Sequence, residues 1–304
     1  MSKQFSTLRA VTALLGDPVS HSVSPSVLRE IFHESGICNY EHRLILVPKE
    51  RADIELPRMI EALKNEGLLG VNITLPFKEM AAGICASLSD ISKLSGVVNV
   101  LRYDKEGVIG NNTDGEAAIG ALKVLHPLAG SSMLIFGSGG AARAIAFAAA
   151  IEASHIMIVN RTEARGQALV EDLRRRTGVK ATFYALSDVS MSANLLHYIF
   201  ESSSHIVNAT SCGMRGNPQK CVVPPELLKE CLSKLNYRVF LDAVFNPLQT
   251  QFLEVATATN HLTVDGLEML INQAALAVAF WLKETPRHPP KSCRTVALAA
   301  LRQN

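Results

Sequence analysis

The chain has 304 residues, 48% of them hydrophobic and 19% charged, with a formal net charge of +2. That profile argues against a disordered chain and against a strongly basic nucleic-acid binder, and it suits a soluble globular protein of about two domains. The run Arg174, Arg175, Arg176 sits among acids in TEARGQALVEDLRRRTG and reads as a solvated helix face.

Apolar runs set against turn signals predict a strand over 11–16, a helix from 25, a strand near 42–47, a helix over 53–66, a strand over 70–75, a helix over 77–88 and a strand over 97–103. Such alternation argues for parallel sheets covered by helices. After the turn-rich IGNNTDG a second series opens with SSMLIFGSGGAARAIAFAAA and continues through HIMIVNRT, KATFYAL, HIVNATS and RVFLDAV. The expected fold class is therefore α/β with two domains, an N-terminal substrate domain and a Rossmann-like doubly wound domain. The boundary is placed so that 1–113 plus 266–304 form the first and 114–265 the second. The last long helix, from about 266, is apolar nearly all round and is expected to be buried.

The six cysteines, at 38, 85, 212, 221, 231 and 293, have no CxxC spacing, and no HExxH segment accompanies them. Neither a metal site nor a disulfide framework is indicated, which suits a reducing compartment. The apolar stretch AVTALLG is too short for a secretory signal, and the windows near 144–153 and 270–282 fall short of a bilayer span. A cytoplasmic protein with no membrane or nucleic-acid partner is expected.

In MLIFGSGGAAR an apolar strand runs into glycines and then a small-residue helix. Gly137 permits the tight turn, while Gly139 and Gly140 let backbone N–H groups approach a pyrophosphate at the helix N-terminus. The next strand ends at Asn160, where an acid would hold an NAD ribose. Asn160, Arg161, Thr162 and Arg165 instead offer donors and positive charge to a 2′-phosphate, so the expected cofactor is NADP. The alternative is that Thr162 only caps the helix, with Glu163 in its first turn.

Three polar clusters stand at predicted strand ends of the first domain. In GDPVSHSVSP, Ser24 reads as a cap for a helix starting at Pro25, which leaves Ser22 unexplained. In VNITLPFKEM, Asn72 and Thr74 share one strand face, Pro76 ends the ladder, and Lys78 enters the next helix's first turn, an unfavourable place for a cation. In GNNTDGEA, Thr113 and Glu116 fit a capping box for a helix from Asp114.

Together these stretches resemble the shikimate dehydrogenase family, with GDPVSHSVSP, GVNITLPFKE, GVVN, GNNTDG, GSGGAAR, NRT, VNATSCGM, VFNP and GLEMLINQAA in the family's order. The resemblance implies a two-domain NADP-dependent dehydrogenase with Lys78 and Asp114 as the catalytic pair and shikimate or 3-dehydroshikimate as substrate. It implies carboxylate binding by Ser22 and Ser24, and a pocket lined by Asn72, Thr74, Asn99 and Gln273. It also implies a cofactor site at Gly137, Gly139, Gly140, Ala141, Asn160, Arg161, Thr162 and Arg165, with Thr210, Met214 and Met269 beside the cofactor. One departure stands out: Phe245 replaces the tyrosine of the family's VYNP, so a hydroxyl that helps hold substrate is missing. A quinate or aminoshikimate dehydrogenase is the nearest alternative, and a non-catalytic metabolite sensor is the alternative of another class. A folate dehydrogenase of similar architecture is disfavoured by the paired serines and NNTDG. A monomer or homodimer is expected.

Overall fold

The computed structural model describes residues 9–303. Two compact units emerge, one ending at Thr113 and resuming at Leu270, the other spanning Asp114–Met269.

The first unit begins with the apolar strand β1 (Arg9–Gly16). Helix α1 (Ser24–Glu34) follows and buries Val27, Leu28, Ile31 and Phe32, the one-sided spacing of an amphipathic helix. Next come β2 (Asn39–Leu46), α2 (Ala52–Asn65), the wholly buried β3 (Gly70–Ile73) and α3 (Lys78–Ile84). The series closes with β4 (Ser87–Leu88), α4 (Asp90–Ser95), β5 (Val100–Asp104) and β6 (Gly107–Asn111). Strand order is β2-β1-β3-β5-β6-β4.

Three features depart from the sequence reading. Helix α3 stops at Ile84, because Cys85 is already extended and the chain goes on into β4, which pairs with β6. The sheet is also mixed: β3–β5 and β5–β6 are antiparallel. The first half of IGNNTDG, read as turn, completes a hairpin strand, the chain reversing at residues 105–106.

The second unit starts with α5 (Asp114–Leu125), β7 (Ser132–Phe136), α6 (Gly140–Ala149), β8 (His155–Asn160), α7 (Glu163–Thr177) and β9 (Lys180–Ala185). It continues through α8 (Leu186–Met191), α9 (Ala193–Glu201), β10 (His205–Asn208), α10 (Pro225–Leu232), β11 (Val239–Asp242), α11 (Gln251–Ala258) and β12 (Leu262–Val264). Helix α12 (Gly266–Leu282) begins in this unit and ends in the first, where α13 (Ser292–Leu301) also lies.

Every pairing of the second sheet is parallel, in the order β12-β11-β10-β7-β8-β9. Winding reverses between β7 and β10, the switch point at which open α/β sheets leave a crevice beyond the strand ends. The central strands are covered on both faces, which explains their unbroken apolar runs. Phe136, Phe200, Phe240 and Phe252 pack together with ring centroids 5.3 to 6.1 Å apart. No helix among the described residues is long and apolar enough to cross a membrane.

Phe240 is fully buried in this aromatic cluster. Phe240→Ala is expected to destabilise the second unit by about 3–5 kcal/mol. Urea unfolding followed by circular dichroism should show the loss as a lower midpoint.

Candidate active site

The crevice at the switch point is bounded by the turns that follow β7 and β10. Gly137 has φ of +113°, a conformation that glycine alone adopts readily, and a Cβ there would meet Ala209 O at 3.1 Å and Thr210 Cγ2 at 3.2 Å. The two turns are thus in close contact. Gly139 stands just before α6, and a Cβ added there meets nothing within 4 Å. Gly140 and Ala141 are the first residues of α6, whose N-terminal amides face the same end of the sheet.

Strand β8 ends at the half-buried Asn160, whose Nδ2 donates to Thr162 O at 2.8 Å. Arg161, Thr162 and Arg165 are exposed. Thr162 occupies the N-cap position of α7 but makes no capping hydrogen bond, so capping does not account for its hydroxyl. The absence of an acid from residues 160–162, the amide and guanidinium donors, and the open cradle at Gly139 fit NADP. Met214 is 40% exposed, Met269 is buried, and Thr210 spends its hydroxyl on its own loop by donating to Asn208 Oδ1 at 2.7 Å.

In the first unit a buried polar cluster is centred on Asn99. Its Oδ1 accepts from Thr113 N at 2.8 Å, and its Nδ2 donates to Thr113 Oγ1 at 2.9 Å and lies 3.4 Å from Gln273 Oε1. Its carbonyl accepts from Ile73 N at 2.8 Å and lies 3.4 Å from Asn72 Nδ2. Asn72, Asn99 and Gln273 are therefore brought together, and Thr74 follows β3 on the same face as Asn72, with its N–H donating to Leu15 O. Lys78, half-buried, is the first residue of α3, and its carbonyl accepts from Val98 N at 2.9 Å. Asp114, 6% exposed, opens α5 directly after Thr113.

Ser24 is itself the first residue of α1 and its hydroxyl makes no capping bond, which corrects the capping role read from the sequence. Pro25 supplies a preset first turn, so the two hydroxyls are not needed to start it. Ser22 Oγ donates to Ser24 Oγ at 3.0 Å and accepts from Ser24 N at 3.2 Å, which holds the two side by side. Phe245 is half-buried in the turn after β11.

Sequence reasoning missed Thr113 as the partner of Asn99 and missed Asn208 and Asp242 altogether. Asp242 is fully buried at the end of β11 and accepts hydrogen bonds from Asn208 Nδ2, Val244 N and Thr250 Oγ1. Burial pushes its carboxyl up to about 6, against the pull of those donors. The available signal was an acid closing the apolar run VFLD at a strand's carboxyl end.

A glycine turn and an anion-ready helix end at the switch point of a parallel sheet define a dinucleotide-binding protein, and the donors after β8 favour NADP. Residues 14–101 match the family model of the shikimate dehydrogenase substrate binding domain, and residues 120–221 match that of shikimate / quinate 5-dehydrogenase. The shikimate dehydrogenase (NADP(+)) of Methanopyrus kandleri is 34% identical over 96% of each chain. A Thermus thermophilus shikimate 5-dehydrogenase crystallised with NADP(H) and shikimate aligns with a TM-score of 0.76 at 30% identity, over 96% of this chain and 99% of that one. A ligand-free 5-ketofructose reductase of a Gluconobacter strain aligns at 0.78 with 27% identity, over 98% and 99%. The chain belongs to the shikimate dehydrogenase family.

Because a Cβ at Gly139 has open space, Gly139→Ala should fold normally yet weaken NADP binding at least about tenfold, an effect of closing the approach to the helix N-terminus. Thermal unfolding and calorimetry together check this, and unchanged affinity would move the cofactor elsewhere. Asp242 has its folded pKa raised above its unfolded value, so its charged form opposes folding above about pH 6 and this cost disappears as pH falls through the window from 6 to 4. The nearby Cys221 thiol, pushed up to about 11 by burial, stays protonated throughout. The stability of wild type relative to Asp242→Asn should accordingly rise by up to about 3 kcal/mol between pH 7 and 4 in urea titrations.

Proposed function

We propose that the protein is an NADP-dependent shikimate dehydrogenase that reversibly reduces 3-dehydroshikimate to shikimate. The observation that carries this reading is the Asn99 cluster, in a chain of this family: it gathers Asn72, Thr113 and Gln273 and is continued along the chain by Asp114. In this reading Ser22 and Ser24 donate to the substrate carboxylate, while Asn72, Thr74, Asn99 and Gln273 bind ring hydroxyls. Gly137, Gly139, Gly140 and Ala141 hold the cofactor pyrophosphate, Asn160, Arg161, Thr162 and Arg165 the 2′-phosphate, and Thr210, Met214 and Met269 the nicotinamide side. Bound NADPH supplies the hydride.

The protein's own contribution is to the proton and the charge. As the substrate carbonyl oxygen gains negative charge, the Lys78 ammonium stabilises it and gives up a proton to it. In this reading Asp114 orients that amine. In the oxidative direction the neutral amine takes the proton of the shikimate hydroxyl. The six free thiols suit a reducing compartment, in keeping with a cytoplasmic enzyme.

A second reading, oxidation of quinate, is favoured by one observation: Phe245 has no hydroxyl for the substrate. A hydrogen bond to a charged group contributes about 1.5–3 kcal/mol, so Phe245→Tyr should lower KM for shikimate roughly tenfold or more. An unchanged KM would mean that the ring at 245 does not touch substrate. Lys78→Met should lower kcat at least about 100-fold, the loss of a general acid, with the NADP dissociation constant held within about threefold. Stopped-flow and calorimetry measure the two, and a near wild-type rate would remove Lys78 from the chemistry.

A further inference from the structure

The second unit contains a buried acid to which the reading above gives no task. Asp242 is 0% exposed, and its three hydrogen-bonding partners are neutral: Asn208 Nδ2 at 2.9 Å, Val244 N at 2.9 Å and Thr250 Oγ1 at 2.7 Å. Among the described residues no salt bridge reaches it. A buried carboxylate without a cation is a costly way to stabilise a turn, and such local violations concentrate where function requires them.

Its contacts lead to the loops at the switch point. A carboxylate only accepts, so it fixes Asn208 with the amide nitrogen towards Asp242 and the amide oxygen towards Thr210. That oxygen then accepts from Thr210 N at 3.0 Å and Thr210 Oγ1 at 2.7 Å, while Asn208 Nδ2 also donates to Cys212 O at 3.1 Å. Thr210 Oγ1 in turn accepts from Cys212 N at 3.1 Å. On the other side, the bond from Val244 N shapes the turn that presents Phe245, and Thr250 caps α11. Arg215 N donates to Asn246 O at 2.8 Å and joins the two loops directly. The loop after β10 also meets the glycine turn, through Ala209 and Thr210 against Gly137.

We infer that Asp242 is a positioning residue for the dehydrogenase reaction, locking the loops at 208–215 and 243–250 into one rigid wall beside the cofactor through Asn208 and Thr250. An asparagine at 242 would bring a donor to a place lined by donors, and the orientation of the Asn208 amide would no longer be specified. The loops would stay folded but lose their register. Misplacement of about 1 Å is enough to cost a large factor in rate.

The inference rests on the proposed activity, so wild type is assayed alongside. Asp242→Asn, Thr250→Val, Thr250→Ser and a core control, Phe200→Leu, are compared for kcat and KM with shikimate and NADP. Calorimetry gives NADP binding, and hydrogen exchange of the cofactor-free protein gives the mobility of peptides covering 208–215 and 243–250. Asp242→Asn is expected to lose kcat at least about tenfold with KM for shikimate within about threefold, and to exchange faster in both loops without cofactor. Thr250→Val should show a smaller loss that Thr250→Ser restores. Phe200→Leu, destabilised through the core, should keep its kcat and its loop exchange. Full kcat and unaltered exchange in folded Asp242→Asn, or equal losses in Phe200→Leu, would overturn the positioning role alone. If Asp242→Asn does not fold, the two Thr250 variants decide by the same criteria. Absence of turnover in wild type would overturn both the activity and the inference.

Discussion

The first unit depends on the bond from the Thr113 backbone N–H to the Asn99 side-chain oxygen, 2.8 Å long and out of reach of water. An unmade bond at that depth costs about 1–3 kcal/mol, so the pairing dictates how the chain leaves β6. Asn99 simultaneously holds β3 through Ile73 and β6 through Asn111, whose carbonyl accepts from Asn99 N at 3.1 Å. Ser89 Oγ adds a bond to Asn111 Oδ1 at 2.5 Å, so the loop before α4 is anchored to the same strand end. The backbone of Asn99 thereby ties the two strand ends together, while its side-chain amide fixes Thr113, the residue from which Asp114 departs.

The second unit solves a different problem. Its central strands are apolar between their ends and give rigidity without chemistry, so their polar residues stand at the strand ends. Gly137 and Gly139 create room for an anion, and Asn208 and Asp242 supply order to the neighbouring loops. The same end of the sheet thus holds an open glycine at 139 and loops tied by side-chain hydrogen bonds. Recognition of a large anionic cofactor needs both, because open amides attract phosphate whereas fixed loops orient what the phosphates carry.

Much of this was legible from the chain. Periodicity placed β1, α2 and β8 within two residues of their ends or nearly so, because each is long and has a clear apolar pattern. The hairpin strand β6 was hidden because Gly107, Gly110 and Asn111 are turn residues by composition, and only pairing with β5 makes them a strand. Helix α3 was read too long for a related reason: Ile84 to Leu88 is apolar enough to continue a helix, and the pull of β6 on Ser87 and Leu88 is invisible locally. Among site residues, the glycines, Arg161 of NRT and the nearby Arg165 announce themselves by type and spacing. Thr113, Asn208 and Asp242 do not, since their meaning lies in partners 14 to 34 residues away along the chain.

The proposed reaction is best examined through the initial rate of reduced-nicotinamide formation by the purified protein with NADP and either shikimate or quinate. A shikimate dehydrogenase turns over fast with shikimate and NADP, well above its rate with quinate or with NAD in place of NADP. Turnover confined to quinate, or none with either acid despite NADP binding, would contradict the proposed reaction.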